Sequence, residues 1–184
     1  MNELPDFIIA YRKHKNLKIA AEELGIKWQH LYIKLCEAGE PVTGDKEKYG
    51  SDSDKFAAKG ERLFLHLVPS AKDMNRKKFQ SKFDFLVSGL KVDVKCSQKR
   101  LSNANSKQKR WAFSVKKQRL IADLVVCFGY DGDEVETCLA IPGEICRNHG
   151  TISLSCRGGK WADYQVKTNE LNEFVLAMAE AKAA

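Results

Sequence analysis

The sequence has no apolar run that approaches the roughly 18 residues of a membrane-spanning helix. Its first residues include acids, and the early apolar stretch from Phe7 to Tyr11 covers only five residues, which argues against a secretory signal peptide. Close pairs of cysteine or histidine, two of which make an ordinary zinc module, are also scarce. These shortages predict a cytoplasmic protein that does not associate with membranes.

The composition is that of a folded, basic protein. The chain has 184 residues, of which 43% are hydrophobic, enough for one medium domain or for a small domain with a smaller companion. It carries 31 lysines and arginines against 24 acids, for a formal charge of +7. This excess of positive charge predicts a polyanionic partner, and nucleic acid is the first candidate. The alternative is a solvated basic surface with no specific role.

Six cysteines lie mainly in apolar, strand-like segments, which is typical of reduced, buried thiols. One group leaves a zinc site open, because four potential ligands fall within nineteen residues. The Cys146-x2-His149 spacing is permissive, but no second close pair accompanies it. The four are Cys138, Cys146, His149 and Cys156.

Residues 83–96 form two runs of alternating polarity on either side of Ser88-Gly89, a pattern that predicts a β-hairpin. In the second run Asp93 and Lys95 fall on one face of the strand. If Ser88 and Gly89 are the two loop residues, Asp84 lies opposite Asp93 at about 5 Å. Facing carboxylates repel unless a cation lies between them, and hard oxygen ligands suit Mg²⁺ or Mn²⁺. A register shift of one residue would separate the two acids.

An acid at the end of one strand, followed by Asp-x-Lys on the next, resembles the PD-(D/E)XK nuclease superfamily. Asp84 matches its first acid, Asp93 its second and Lys95 its lysine, whereas Phe83 stands where the family has proline. The resemblance spans about residues 54–160. It implies an α/β fold, a restriction-endonuclease-like core with a central mixed sheet flanked by helices.

The resemblance also implies a set of roles. Asp84 and Asp93 would hold Mg²⁺, with Glu61 and the carbonyl of Val94 as further ligands, and Mn²⁺ would serve as a substitute. Lys95 would orient or activate the attacking water. Gln118 would be the polar residue that some members place after the next strand, although a surface glutamine is the plain alternative.

Glu61 also has a pattern of its own. Ser53 or Asp54 is expected to cap a helix that runs to about Val68, with Glu61 inside an otherwise apolar stripe. A glutamate in that position suits a cleft, and the alternative is a boundary glutamate paired with a lysine.

The N-terminal segment resembles a helix-turn-helix. The sequence predicts two helices, Leu17 to Gly25 and Trp28 to Glu37. Gly25 can adopt the left-handed conformation that ends the first of them. The expected apolar contacts are Ile19, Ala20, Leu24, Ile26, Leu31 and Leu35. The second helix would expose side chains that reach bases or phosphates: Lys27, Trp28, Gln29, Tyr32 and Lys34. An ordinary helical hairpin that packs on another surface is the alternative.

The domain prediction is therefore a helix-turn-helix domain over 1–42, a linker over 43–53 and a nuclease domain over 54–184. Residues 69–82 and 97–110 are basic and are expected to form loops that hold phosphates near the acids. The resemblance, together with the basic composition, implies a metal-dependent DNA endonuclease of restriction, phage or mobile-element type. Alternatives are a DNA-binding regulator without catalysis and an RNA-directed nuclease, and a homodimer is among the compatible assemblies.

Overall fold

The computed structural model describes residues 4–42, 50–75, 81–115, 121–146 and 148–183. The chain divides into two compact units. The first comprises Met1–Lys55 with Met74–Ser81, and the second comprises Phe56–Asp73 with Lys82–Ala184. Gln118 and most of the predicted linker lie outside the described residues.

Among its described residues, the first unit contains three short helices, α1 (Asp6–His14), α2 (Leu17–Glu23) and α3 (Trp28–Glu37). The predicted turn between α2 and α3 is present. Gly25 adopts a φ of +64°. Its N–H donates to Glu22 at 3.1 Å and that of Ile26 donates to Ala21 at 3.0 Å, which is the hydrogen-bond pattern of a Schellman ending.

An apolar core holds these helices together. Ile19, which we expected in this core, is instead 37% exposed, because it lies on the opposite side of α2 from Ala20 and Ala21. The buried members are Ile8, Ala10, Tyr11, Leu17, Ala20, Ala21, Leu31, Leu35 and Val42.

Helix α4 (Asp52–Leu67) begins two residues earlier than expected. Its cap is Ser51 and not the predicted Ser53 or Asp54. The Ser51 Oγ accepts a hydrogen bond from the Asp54 N–H at 3.2 Å, and the Asp54 carboxylate accepts from the Ser51 N–H at 3.0 Å. This reciprocal pair is a capping box, with aspartate in the place of the usual glutamate.

The second unit contains a five-stranded mixed sheet. Its strands are β1 (Lys72–Asp73), β2 (Phe85–Val87), β3 (Leu90–Gln98), β6 (Leu124–Asp131) and β7 (Glu134–Pro142). They lie in the order β1-β2-β3-β6-β7. Strands β3 and β6 are parallel and the other neighbours are antiparallel.

A second sheet is antiparallel and consists of β4 (Arg100–Leu101), β5 (Lys109–Ser114) and β8 (Thr151–Ser155). Its strand order is β4-β5-β8. The basic segment 97–110, which we predicted to be a loop, therefore contributes the end of β3, the whole of β4 and the start of β5. The two sheets meet where the Ala112 N–H donates to the Ser97 Oγ at 2.9 Å.

The two faces of the mixed sheet have different coverings. Helix α4 and the C-terminal helix α6 (Leu171–Ala183) pack on one face, where Phe64 and Val175 belong to the same core as Val94. The other face packs against the second sheet, the short helix α5 (Gly143–Cys146) and the 3-10 turn at Ala162–Tyr164. The expected mixed sheet is present, but the described residues place these helices on one side and mainly strands on the other.

Candidate active site

The central hairpin has the predicted register. Ser88 and Gly89 both adopt positive φ, 46° and 87°, as a tight two-residue hairpin turn requires. Val87 pairs with Leu90 and Phe85 pairs with Val92. Asp93 and Lys95 therefore share one face of β3, as the alternation predicted, and the structure shows that this face is directed toward the second sheet.

Asp84 lies just before β2, in a bend and not in the strand itself. Its N–H donates to the Val92 carbonyl at 3.0 Å, and its Oδ2 accepts a hydrogen bond from the Val94 N–H at 2.9 Å. These two bonds tie Asp84 to the residues on either side of Asp93. Asp84 is thus opposite Asp93 as predicted, but it is held there by hydrogen bonds to β3 rather than by a regular strand pair.

Asp93 is completely buried. Its Oδ2 lies 2.6 Å from the Lys95 Nζ. Neither of its carboxylate oxygens receives a hydrogen bond of regular geometry from the described residues. Burial above all, and then the nearby Asp84 carboxylate, raise the pKa of Asp93, while Lys95 lowers it, and the net pKa is about 8. Burial of a carboxylate without hydrogen-bond partners destabilises the folded state. The position therefore indicates a functional role or a bound ligand.

The side chain of Lys95 lies between the buried Asp93 carboxylate and the solvent. Burial is the largest single influence and lowers the pKa of Lys95, but the Asp93 carboxylate, with a further contribution from Asp84, acts in the opposite direction, and the net pKa lies above its ordinary value. The side chain of Lys95 keeps 26% of its surface exposed. Its ammonium group can therefore reach both a buried carboxylate and a molecule that arrives from outside.

Glu61 lies on α4, which approaches β3 very closely. A Cβ on Gly60 would lie 2.0 Å from the Cys96 Sγ, so a larger residue at this crossing would have to displace the Cys96 side chain. Burial raises the pKa of Cys96 to about 12, and the Glu61 carboxylate adds to that shift, which places Glu61 beside Cys96. Among the described residues, no three side chains of His, Cys, Asp or Glu gather as ligands of one metal ion. Glu61 therefore does not complete a three-carboxylate set with Asp84 and Asp93.

The two aspartates nevertheless fit a hard divalent cation. Mg²⁺ commonly binds through one or two carboxylates and keeps several water ligands. The Val94 N–H points to Asp84, and in an extended strand the carbonyl of the same residue faces the same edge, so the Val94 carbonyl lies on the side of Asp84. The unsatisfied Oδ1 of the buried Asp93 is the observation that favours a cation here.

The N-terminal candidates differ in exposure. Lys27, Gln29 and Lys34 are exposed, whereas Trp28 and Tyr32 are half-buried and pack against the core of the first unit. The first three can present polar groups to a partner, and the two aromatic residues serve mainly the core.

The zinc candidates are separated in the structure. Cys138 belongs to the core on the helix-covered face of the mixed sheet, and Cys146 belongs to the core on the opposite face. His149 packs edge-on against Trp161, and the Cys156 Sγ is 3.2 Å from the Lys109 carbonyl. Cys156 is exposed, as is Cys36, so the thiols are not all buried as expected.

Sequence reasoning assigned Lys99 to phosphate contacts, but the structure gives it protein partners. Its Nζ lies 2.7 Å from Glu136 and 3.1 Å from Asp131. Both acids come from the β6–β7 hairpin, more than 30 residues further along the chain, and no local pattern links them to Lys99.

No protein-family model matches the chain, and no curated protein is significantly similar to it. Over the residues that the structure describes, none of the helices has the length and apolar character needed to cross a membrane.

Proposed function

We propose that this protein is a metal-dependent DNA endonuclease of the PD-(D/E)XK type. The observation that carries the proposal is the fully buried Asp93 carboxylate, which lacks regular hydrogen bonds from the described residues, has Asp84 beside it and lies 2.6 Å from Lys95. The excess of basic residues supports a polyanionic substrate.

Asp84 and Asp93 would hold Mg²⁺ or Mn²⁺ together with the Val94 carbonyl. The ion, when bound, would supply Lewis-acid polarisation of the phosphoryl oxygen and would lower the pKa of a bound water. The Val94 N–H fixes the orientation of the Asp84 carboxylate through the 2.9 Å hydrogen bond. Lys95 positions its ammonium group beside both acids, where it can orient a water molecule and stabilise negative charge that builds on the phosphate.

Incubation of the purified protein with supercoiled plasmid, in Mg²⁺ and in chelator, tests the proposal. We expect nicked or linear DNA only in the presence of the metal. An intact plasmid in Mg²⁺ and Mn²⁺, with a protein that melts cooperatively, would refute nuclease activity on duplex DNA. A panel of single-stranded DNA and RNA in the same buffers separates the RNA-directed alternative.

The second candidate is a DNA-binding regulator without catalysis. It is favoured by one observation, that Glu61 does not join the two aspartates in a three-ligand group within the described residues. Binding of duplex without cleavage in either metal would support this candidate over the nuclease.

The exposed side chains of α3 provide a separate test of DNA contact. We expect Lys27→Ala, Gln29→Ala and Lys34→Ala together to weaken duplex binding and to flatten its salt dependence by about 0.9 for each phosphate that is no longer neutralised. Arg12→Ala/Lys13→Ala is the control of equal charge change, because Arg12 and Lys13 already pair with Glu40 at 2.7 Å and with Glu23 at 2.9 Å. Equal affinities and salt slopes for the two proteins would mean that α3 serves packing or assembly.

A further inference from the structure

The outer face of the β4-β5-β8 sheet carries a row of side chains that local pairing does not explain. Arg100 on β4 lies directly opposite Arg110 on β5, and Arg110 lies opposite Ser155 on β8. Directly paired residues project from the same face of a sheet, and like charges in that arrangement repel. Trp111 is buried in the core beneath the sheet, so Arg110, its neighbour along β5, projects away from that core.

The arginine row lacks counter-charges. In the described part of the chain, no carboxylate forms an ion pair with Arg100 or Arg110, and the Arg110 Nε is buried without a hydrogen-bond partner. An unsatisfied guanidinium donor beside a second guanidinium is the electrostatic opposite of the paired aspartates on the hairpin. Because the two guanidinium groups have no carboxylate partner among the described residues, an anion with oxygen acceptors would be stabilised at the exposed Arg100 and the half-buried Arg110.

A third arginine is tied into the same row. When the Gln108 amide oxygen faces Arg157, it accepts hydrogen bonds from Nη1 at 3.0 Å and from Nε at 3.3 Å, while the amide nitrogen donates to the Ser155 Oγ at 3.2 Å. The Arg157 N–H also donates to the Ser155 Oγ at 3.2 Å. Gln108 and Ser155 therefore hold Arg157 beside Arg110.

The rest of this face carries small side chains, most of them with a hydroxyl group. Next to the arginine row, β5 and β8 contribute only small side chains to it: Ala112, Ser114, Thr151 and Ser153. Arginines and hydroxyl groups are the side chains that contact phosphate and sugar in protein–DNA interfaces. A flat face with small residues lets an extended backbone approach without steric obstruction.

We propose that Arg100, Arg110 and Arg157 form a binding surface for the phosphodiester backbone of duplex DNA. The proposal rests on the proposed nuclease function and specifies where its substrate is held. Arg100 and Arg110 lie on adjacent strands about 4.8 Å apart, and Arg157 follows the end of β8 on the other side of β5, so the row extends over about 10 Å. That span is wider than one phosphate group, so consecutive phosphates of one strand fit the row better than a free phosphate ion does.

The test compares Arg100→Gln/Arg110→Gln with a control of equal charge change, Lys59→Gln/Lys167→Gln. The control lysines already pair with Asp133 and Glu170. Binding of a fluorescent duplex of about 20 base pairs is measured by anisotropy in chelator, over about 50 to 200 mM salt, the range in which phosphate contacts dominate the change in affinity.

We expect the arginine variant to bind the duplex at least about tenfold more weakly at 0.1 M salt, with a salt slope that is shallower by about 1.8, or roughly 0.9 for each of two phosphates. The control should stay near the wild type. Equal affinity and slope for the two variants would overturn the proposal. Displacement of the duplex by inorganic phosphate at the same phosphate concentration would also overturn it, because a free-ion site would then explain the arginines.

Arg100 is exposed, so Arg100→Gln alone keeps the test available if the double variant does not fold. The failure of this inference differs from that of the proposed function. If the wild type cleaves plasmid but the arginine variant binds like the control, only the DNA surface is wrong. If binding depends on the arginines but no metal supports cleavage, only the nuclease is wrong.

Discussion

Two lysines near the end of β3 make contrasting ion pairs. Lys95 lies 2.6 Å from Asp93, whose side chain is completely buried. Lys99 binds Asp131 and Glu136, whose side chains are 50% and 45% exposed. We refer to these groups as the Lys95 cluster, which includes Asp84, and the Lys99 cluster.

The difference separates a structural ion pair from a candidate site. In the Lys99 cluster, hydrogen bonds to the two carboxylates raise the pKa of Lys99, and water solvates the acids. In the Lys95 cluster, two acids meet one lysine, and burial raises the pKa of Asp93 to about 8. Buried charged groups that lack a full set of protein partners, such as Asp93, are typical of functional sites.

The largest expected contrast is in catalysis. Lys95→Ala should lower the rate of Mg²⁺-dependent plasmid cleavage by at least about 100-fold, which is the usual cost of removing a group that stabilises charge in the transition state. Lys99→Ala should leave the rate within about twofold, because an exposed ion pair contributes little. Duplex binding in chelator should persist in the Lys95→Ala protein. Undiminished cleavage by that protein would remove Lys95 from the proposed mechanism.

The pH dependence of stability should distinguish the two clusters next. The folded-state pKa of Asp93 is raised from an ordinary value of 3.8 to about 8, so between about pH 4 and pH 8 the folded state binds more protons than the unfolded state. The metal-free protein should therefore lose stability as the pH rises through this window, and the contribution vanishes below about pH 4.

Asp93→Asn should remove this slope and stabilise the metal-free protein at pH 8 by an amount on the order of a few kcal/mol, because the amide stays neutral where the buried carboxylate would have to ionise. Asp131→Asn, from the Lys99 cluster, is the control and should keep the wild-type slope. Chemical denaturation in chelator at several pH values measures both. If Asp93→Asn retained the wild-type pH dependence, the assigned titration of Asp93 would be wrong.

Metal-dependent stabilisation should be intermediate in size. Mg²⁺ at about ten times its dissociation constant should add about 1.4 kcal/mol to the free energy of unfolding of the wild type, because a ligand that binds only the folded state stabilises it by mass action. Asp93→Asn should lose most of this gain, and Asp131→Asn should retain it. Melting curves with and without Mg²⁺ give the comparison, and a full gain in Asp93→Asn would place the cation elsewhere.

The smallest expected effect is on the Lys99 cluster itself. Lys99→Gln should lower the melting temperature by no more than about 2 °C, because the partner carboxylates remain solvated. Differential scanning calorimetry in chelator checks this. A larger fall would show that this cluster supports the junction of the two sheets, and the contrast with Lys95 would then have no basis.

Short-range patterns predicted the hairpin well. A Ser-Gly pair with positive φ at both positions fixes a two-residue turn, and the turn fixes the register that brings Asp84 to Asp93. The alternation of β3 also predicted that Lys95 shares a face with Asp93. These features depend on neighbours within about ten residues, and local sequence contains that information.

Sequence patterns could not predict which strands pair when they lie far apart in the chain. Arg100 and Leu101 form a strand only because β5 pairs beside them, and β5 in turn pairs with β8, whose first residue, Thr151, is far along the chain from Ser114. The capping box at Ser51 was missed because Asp54 fills the place of the usual glutamate. The place of Glu61 beside Cys96 follows from the close crossing of α4 and β3, which no spacing reveals.

The mixed pairing of β3 also sets an order of assembly. Its antiparallel partner β2 is adjacent in the chain, whereas its parallel partner β6 begins only at Leu124. Local hairpins close much faster than distant strands meet, so we expect Asp84 to reach Asp93 while both are still in water. Arrival of β6 and the second sheet would then bury an acid pair that already exists. Pulse-labelled hydrogen exchange should show the Val94 amide protected before the amides of β6, and simultaneous protection would contradict this order.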